Sequence, residues 1–581
     1  MADLEDINGV ANASLETING VDASSVEDIN GITGVGVQYA AIVTTSLGTS
    51  GDTYRPVLAY DTHNDKLVVF YQSATSSTNV GKFRVGTVGA DGAVTWGSIA
   101  TWDAGQTSSG DNPRGIKPLF ACFNSSINKV VVGYNSAVAS GNQTEYKVYA
   151  RYGAISGSGG SATITMEPTS SSSGNSAGYW SGEGVERGQA VYHTKADKVI
   201  VHYEQPAWDD HYSSTEPVNQ VRHLRIYGDD SAVNDIDVTG IVGAYSGGSV
   251  DTDSNPWDSG SGSNNLQAWV GITYCASIER TIYATMDDGS CTLRCARTGG
   301  GSTITEDLDN SETEIDVADG TQFQDGDLLV MRGTGSHEYM EVISVSSNTL
   351  TVTERGLGSW SAYTHSNGDY INNYTHNLGA DCVAFSYDAH DIQVAWDEDN
   401  DKGVLIWTDA SPGHVKYQTF SVNTSTNAIT LHVDDDGTGD GSIGNMETLA
   451  ACDSVNICYD EAANHFVIVY RMNDKLYFKT AKFNGSTTKL LWGSSAGFQT
   501  DDDDGDDRVL IYPPASGTGS TDKIRGTELT FSPANIQMQK YPDATPGVLV
   551  CFWKTNNLDS DPEGMVTRLA ALGTHYEQTA G

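Results

Sequence analysis

The chain has 581 residues, 75 acidic against 32 basic, for a formal charge of −43 at pH 7. A surface of that sign repels phosphate backbones and argues against a nucleic-acid partner. Charged residues are only 18% of the chain, so the acidity reflects scarce Lys and Arg rather than surplus carboxylates. Such a particle stays soluble in salty water, where screening weakens self-repulsion.

The length exceeds one ordinary core and predicts several domains or a large closed repeat fold. The start, Met-Ala-Asp-Leu-Glu-Asp, has no basic n-region and no apolar h-region, so no secretory signal is read there. No apolar run approaches the roughly eighteen residues of a membrane span. The eight cysteines are scattered, and Cys122, Cys275, Cys382, Cys458 and Cys551 sit in apolar strand-like runs. Cys291 and Cys295 form a CxxxC without a second pair at zinc spacing. They read as buried thiols of a cytosol-made protein.

The first element, Asp3 to Ile32, is one eleven-residue phrase in three copies: Leu4, Leu15 and Val26 correspond, as do Ile7-Asn8-Gly9, Ile18-Asn19-Gly20 and Ile29-Asn30-Gly31. Asp3, Ser14 and Ser25 suit N-caps, so each copy fits a helical turn ended by glycine. Each fits a strand–turn element around Asn-Gly equally well. Either way the segment carries too little apolar surface to order alone and is expected to order against a partner, as an anchor does.

From residue 36 onward helical periodicity gives way to short apolar or alternating runs punctuated by Gly, Ser, Thr and Asp, the signature of an all-β protein. A second, longer repeat runs through this part. "AYDTHNDKLVVFY" (Ala59–Tyr71) aligns without a gap on "CFNSSINKVVVGY" (Cys122–Tyr134), "AWDEDNDKGVLIW" (Ala395–Trp407) and "CYDEAANHFVIVY" (Cys458–Tyr470). Looser copies start at Val191, Thr273 and Lys540. Each copy has an aromatic second residue, Tyr60, Phe123, Tyr192, Tyr274, Trp396, Tyr459 or Tyr541. Each reads as a strand, a polar turn and a returning strand whose unbroken apolar run marks burial on both faces. A third and usually a fourth strand follow, as in "KFRVGTV" and "AVTWGSI" after the first copy. Four antiparallel strands in seven copies predict a seven-bladed β-propeller. "VQYAAIVTT" (Val37–Thr45) is a candidate outer strand for the last blade, with the C-terminal "HYEQ" as the alternative.

Copies four and five are set apart by 122 residues, from Tyr274 to Trp396. The excess, around Thr303–Ile371, has its own alternating strands and is expected to form a small inserted β-barrel or sandwich-like domain. It leaves the fourth blade after "CTLRCAR" and returns before "CVAFSYD", which is placed to supply that blade's outer strand. The expected organisation is therefore an anchor at 1–35, blades one to four at 36–299, the insertion at 300–373 and blades five to seven at 374–581.

Little in the chain points to chemistry. "GADGAVTWG" (Gly89–Gly97) is a single near match to the Asp-box turn of sialidases, with Gly89 at the serine position; an ordinary hairpin turn accounts for it as well. "DEDNDKG" (Asp397–Gly403), "DDDGTGDG" (Asp434–Gly441) and "DDDDGDD" (Asp501–Asp507) invite a calcium reading. The second spaces oxygens like the start of an EF-loop but has Asn445 where a bidentate Glu belongs, and the first aligns on turns that lack the carboxylates. Solvated acidic loops are the plainer account. No HExxH, GxSxG, P-loop or dinucleotide pattern stands in context. No catalytic, cofactor-binding or metal-ligating residue is assigned, and no cofactor.

The "INGV" tandem resembles N-terminal segments of structural proteins from tailed bacteriophages, marine and cyanobacterial ones especially. The insertion, "GDLLVMRGTGSHEYMEVISVSSNTLTVTERGLGSWSAYTHSNGD", is similar to a β-module of phage tail proteins, and the blade phrase to repeats of tail-fibre and virion propellers. The resemblance covers nearly the whole chain. It implies a multi-copy virion structural protein, assembled in the host cytoplasm and tail-associated in position (fibre, tip or nozzle). Its implied partners are other virion proteins through the N-terminal segment, copies of itself and a host-surface glycan. A carbohydrate-active propeller enzyme, depolymerase or glycosidase, is the alternative reading, and a capsid-decorating protein the third.

Overall fold

The computed structural model describes residues 53–103, 117–167, 187–205, 269–409, 413–432 and 452–494 apart from short gaps, and elsewhere strand residues alone. Among the described residues the chain is all-β, with two single-turn 3-10 segments, Gly159–Ser161 and Gly320–Gln322. No helix there is long and apolar enough to cross a membrane.

The aligned phrases are hairpins at the heads of antiparallel sheets. The first sheet runs Thr53–Asp61, Lys66–Thr75, Thr78–Val88 and Val94–Trp96 in order. Sheets of the same plan start with Lys117–Asn124, Arg187–His193, Val270–Cys275, Ala389–Asp397 and Cys452–Asp460. In a further sheet Gln537–Tyr541 pairs with Gly547–Thr555, which pairs with Glu563–Ala571. Each leading strand packs beside the next in this order, and Gln537–Tyr541 packs back against Thr53–Asp61. The sheets thus stack face to face around a closed ring.

Side-chain alternation explains why the second strands read as continuous apolar runs. In Lys66–Thr75, Val68 and Phe70 join a core shared with Val130, Val132 and Tyr134 of the following sheet. The intervening Leu67, Val69 and Tyr71 face the other way, into a core with Leu549, Cys551 and Val566 of the last sheet. Successive strand residues point to opposite faces, so a strand sandwiched between two sheets must be apolar at every position.

The ring is closed by the start of the chain. Tyr39–Ser46 pairs antiparallel with Glu563–Ala571 and supplies the outer strand of the last sheet. Ahead of it the three N-terminal phrases form hairpins two residues to a strand: Ile7 pairs with Val10, Ile18 with Val21 and Ile29 with Ile32. The strand–turn alternative is the one adopted, with Asn-Gly between the strands, the dipeptide that a two-residue hairpin connection favours.

Residues 301–373 form a six-stranded sheet of their own, from Gly301–Thr303 at one edge to Glu314–Asp316 at the other. The two edges meet through an Ile304–Val317 bridge and a hydrogen bond of 2.8 Å from the Thr305 N–H to the Asp316 carbonyl, so the sheet closes as a barrel. Its core includes Ile315, Leu329, Met331, Met340, Leu350 and Ile371. On leaving it the chain returns to the fourth sheet, where His376–Leu378 and Cys382–Phe385 both pair with Ser290–Thr298.

Candidate functional site

The hairpin turns at the heads of the sheets form a collar on one side of the ring, and several of them share one capping chemistry. In these the residue after the aromatic, Asp61, Asn124 or Asp397, caps the turn. Asp61 Oδ1 accepts the N–H groups of His63 and Asn64, each at 2.9 Å, while its Oδ2 accepts Asn64 Nδ2 at 2.8 Å. Asp397 makes the same three bonds with Asp399 and Asn400. Four residues further on the backbone turns left-handed: φ is +56° at Asp65, +53° at Asn128, +51° at Asp197, +52° at Glu279, +51° at Asp401 and +53° at Asn464. Asn and Asp are the non-glycine residues that tolerate this region best, and five of these six positions carry one. A basic residue follows, and Lys66 donates to the carbonyls of Asn64 and Asp65 at 2.9 and 3.0 Å.

The collar also links neighbouring sheets. Ser126 Oγ donates to Asp197 at 2.5 Å, Thr194 Oγ1 to Tyr274 Oη at 3.2 Å and Tyr459 Oη to Asp399 at 3.0 Å. Glu398 accepts the N–H groups of Ala276 and Ser277 at 2.9 and 2.6 Å. The carboxylates of "DEDNDKG" therefore act as turn caps and inter-sheet acceptors. The acidic segments 434–441 and 501–507 lie outside the described residues. Among the described residues no group of three or more His, Cys, Asp or Glu is placed to hold a metal.

The near Asp-box joins Thr78–Val88 to Val94–Trp96, two paired strands of the first sheet, which is the hairpin-turn reading of that segment. Several arginines are engaged structurally rather than gathered: Arg84 with the Gly97 carbonyl, Arg294 with Asp381, Arg297 with Asp327 and Arg471 with Asp474. All eight cysteines are free thiols, six buried and two partly so. Burial pushes Cys122 and Cys295 up to about 12 and raises Cys275, Cys291 and Cys551 as well. Protonated thiols of this kind are poor nucleophiles.

The barrel holds a buried cluster of charged side chains. Glu338, fully buried, takes Arg355 Nε at 2.5 Å and Nη2 at 2.9 Å, His365 Nε2 at 3.0 Å and the Tyr363 N–H at 3.1 Å. Burial alone would raise its carboxyl; the bonds from His365, Arg355 and Tyr363 outweigh that and hold it at about 2. Arg355 also donates to the carbonyls of Asp309 at 2.8 Å and Tyr363 at 2.7 Å. The network thus fixes both ends of the loop that carries Trp360, 43% exposed and resting on Tyr339 with ring centroids 4.9 Å apart. The "EY", "RG" and "TH" dipeptides of the insertion stand out in the sequence, but nothing there says that their charges meet.

Where the chain enters and leaves the barrel, a third arrangement forms a neck. Lys198, buried in the third sheet, donates to the carbonyls of Gly299 at 2.7 Å and Asn373 at 2.6 Å, one on each crossing strand. Asp327 of the barrel takes both Arg297 Nη atoms, at 2.8 and 3.1 Å, and Asn373 Nδ2 at 2.6 Å. A side chain at Gly299 would run into Asn373.

No family model matches the chain, and no curated protein matches it. Among solved structures it is similar to a variant of the NanB sialidase of Streptococcus pneumoniae (8% identity, TM-score 0.38, covering 91% of this chain and 70% of that one). It is similar also to the polysaccharide lyase Uly1 (9%, 0.37, covering 94% and 95%) and to the Dos1 propeller (8%, 0.34, covering 93% and 96%). These likenesses, two to enzymes and one to a propeller, assign no activity to this chain.

Proposed function

We propose that this chain is a structural component of a tailed-bacteriophage particle, tail-associated as fibre, tip or nozzle. In this reading residues 1–35 dock it to other virion proteins, 36–299 and 374–581 form a seven-bladed β-propeller, and 300–373 are a small inserted β-domain. The observation that carries the reading is the continuity of three equal hairpins with the strand that closes the ring. Two-residue strands bury too little to stand alone, so the hairpins need a partner surface. The strand behind them is locked by pairing with Glu563–Ala571, so a load on the hairpins passes directly into the ring. The resemblance of the tandem and of the insertion to phage structural proteins supplies the setting. The ring then serves as a rigid platform for assembly contacts or for a host-surface glycan, and the inserted barrel it carries adds Trp360 as an exposed aromatic.

The test is incorporation. Particles assembled with a chain lacking residues 1–35 should lack the protein by mass spectrometry, while the truncated chain stays folded; normal incorporation would overturn the docking role. The platform is read as non-catalytic. Purified protein incubated with host envelope polysaccharide should release no new reducing ends, and their release would favour a depolymerase or glycosidase instead.

A further inference from the structure

The turn that carries Lys198 differs from its siblings at its cap. Where other hairpins place Asp61, Asn124 or Asp397, this one places His193, whose Nδ1 accepts the Ala196 N–H at 3.1 Å. The oxygens of aspartate and asparagine accept such a bond across the ordinary pH range. An imidazole nitrogen accepts only while it is unprotonated. The basic residue of this turn is also diverted: Lys66 serves the carbonyls of its own turn, whereas Lys198 reaches across to both strands of the neck. The titratable cap and the clamp thus lie at the two ends of one six-residue segment, His193 to Lys198.

We propose that His193 makes the neck an acid-released latch: protonation at Nδ1 removes the acceptor for the Ala196 N–H, loosens the turn that aims Lys198, and frees the barrel of residues 301–373 to move relative to the ring. The surroundings sharpen the effect. His193 packs on the Tyr274 ring with centroids 4.1 Å apart. Burial, then Lys198, and more weakly His376 and Arg280, disfavour its charged form and hold it down to about 3. His376, across the neck beside Thr298, is likewise held at about 3 by burial and Lys198. Arg297 is paired with Asp327, and Lys195 with Glu279 at 3.6 Å, so neither carboxylate is free to balance a new cation. In an opened neck His193 returns to its ordinary 6.5. The open form therefore binds the extra proton, so the latch is fully set above that pH and opening is increasingly favoured as pH falls below it.

Hydrogen exchange on the full chain at pH 7.5 and pH 4.5, corrected for the intrinsic rate, tests the latch. Peptides covering 297–302 and 372–377 should lose protection by about tenfold or more at the lower pH, while peptides from 340–352 and 465–472 keep theirs. His193→Asn, which restores the acceptor used at Asn124, should lose at least about threefold less neck protection at pH 4.5 than the wild type, the remaining response coming from His376, which is held down in the same way. An unresponsive wild-type neck would overturn the proposal. So would simultaneous loss of protection throughout the chain, or a His193→Asn variant that responds as the wild type does. The wild-type comparison stands even if a variant folds poorly.

Discussion

Ala40, near the start of the chain, pairs with Ala570, near its end, and the pairing runs from Tyr39 opposite Ala571 to Ser46 opposite Met565. Two segments more than five hundred residues apart thus complete one sheet, with Tyr39–Ser46 as its outer strand.

This closure predicts a sharp difference between two truncations. Removal of residues 1–35 should leave the melting temperature within about 2 °C of the intact chain, whereas removal of 1–46 strips a paired strand. The second should lower it by roughly 5 °C or more, since each kcal/mol is worth about 2–4 °C in a large domain. Differential scanning calorimetry of both chains checks this. Equal melting temperatures would mean that the pairing contributes nothing.

The left-handed residue of the collar turns predicts a reversal of the usual ranking of substitutions. At Asn128, with φ at +53°, Val should cost about 1–2 kcal/mol because its branched Cβ clashes with the backbone there. Gly at the same position should be nearly neutral, though glycine ordinarily weakens a structured segment. Denaturant unfolding of the two variants reads the difference, and a Val variant as stable as the Gly variant would contradict the turn geometry.

Glu338→Gln should be among the most damaging single changes in the barrel. It leaves the buried Arg355 guanidinium without its counter-charge, at a cost of about 3–5 kcal/mol. A Glu338→Leu/Arg355→Leu pair should cost less than Glu338→Gln alone. The same carboxyl sets an acid limit. Its folded value of about 2 lies below the ordinary 4.5, so its contribution is fully present above 4.5 and is lost as pH falls towards 2. Circular dichroism of the wild type through that window should show the barrel weakening, and the double Leu variant should lack this component.

The thiols offer a direct probe of packing. In native protein a thiol reagent should reach the partly buried Cys382 and Cys458 first and the other six slowly; guanidinium should expose all eight at once. Fewer than eight thiols titrating after unfolding without reductant would reveal a disulfide that the structure does not have.

Much of this architecture is legible in the residues. The unbroken apolar run of Leu67–Tyr71 announces a strand with a sheet on each face, and both neighbouring cores receive it. In the first and fifth sheets the aromatic, the acidic cap and the Asx-Lys pair fix the leading hairpin through bonds that span only a few residues. Local rules of this kind need no knowledge of the rest of the chain.

What only the tertiary structure decided are the choices among distant partners. Lys66 and Lys198 occupy the same register, yet one folds back on its own turn and the other clamps the neck, because only beside the third sheet do the Gly299 and Asn373 carbonyls come within reach. Glu338, Arg355 and His365 are likewise ordinary polar residues until barrel closure buries them together. Hairpin pairing and turn caps depend on neighbours in sequence, whereas the meaning of a buried charge depends on which groups the fold brings within about 3 Å of it, and spacing along the chain does not encode that distance.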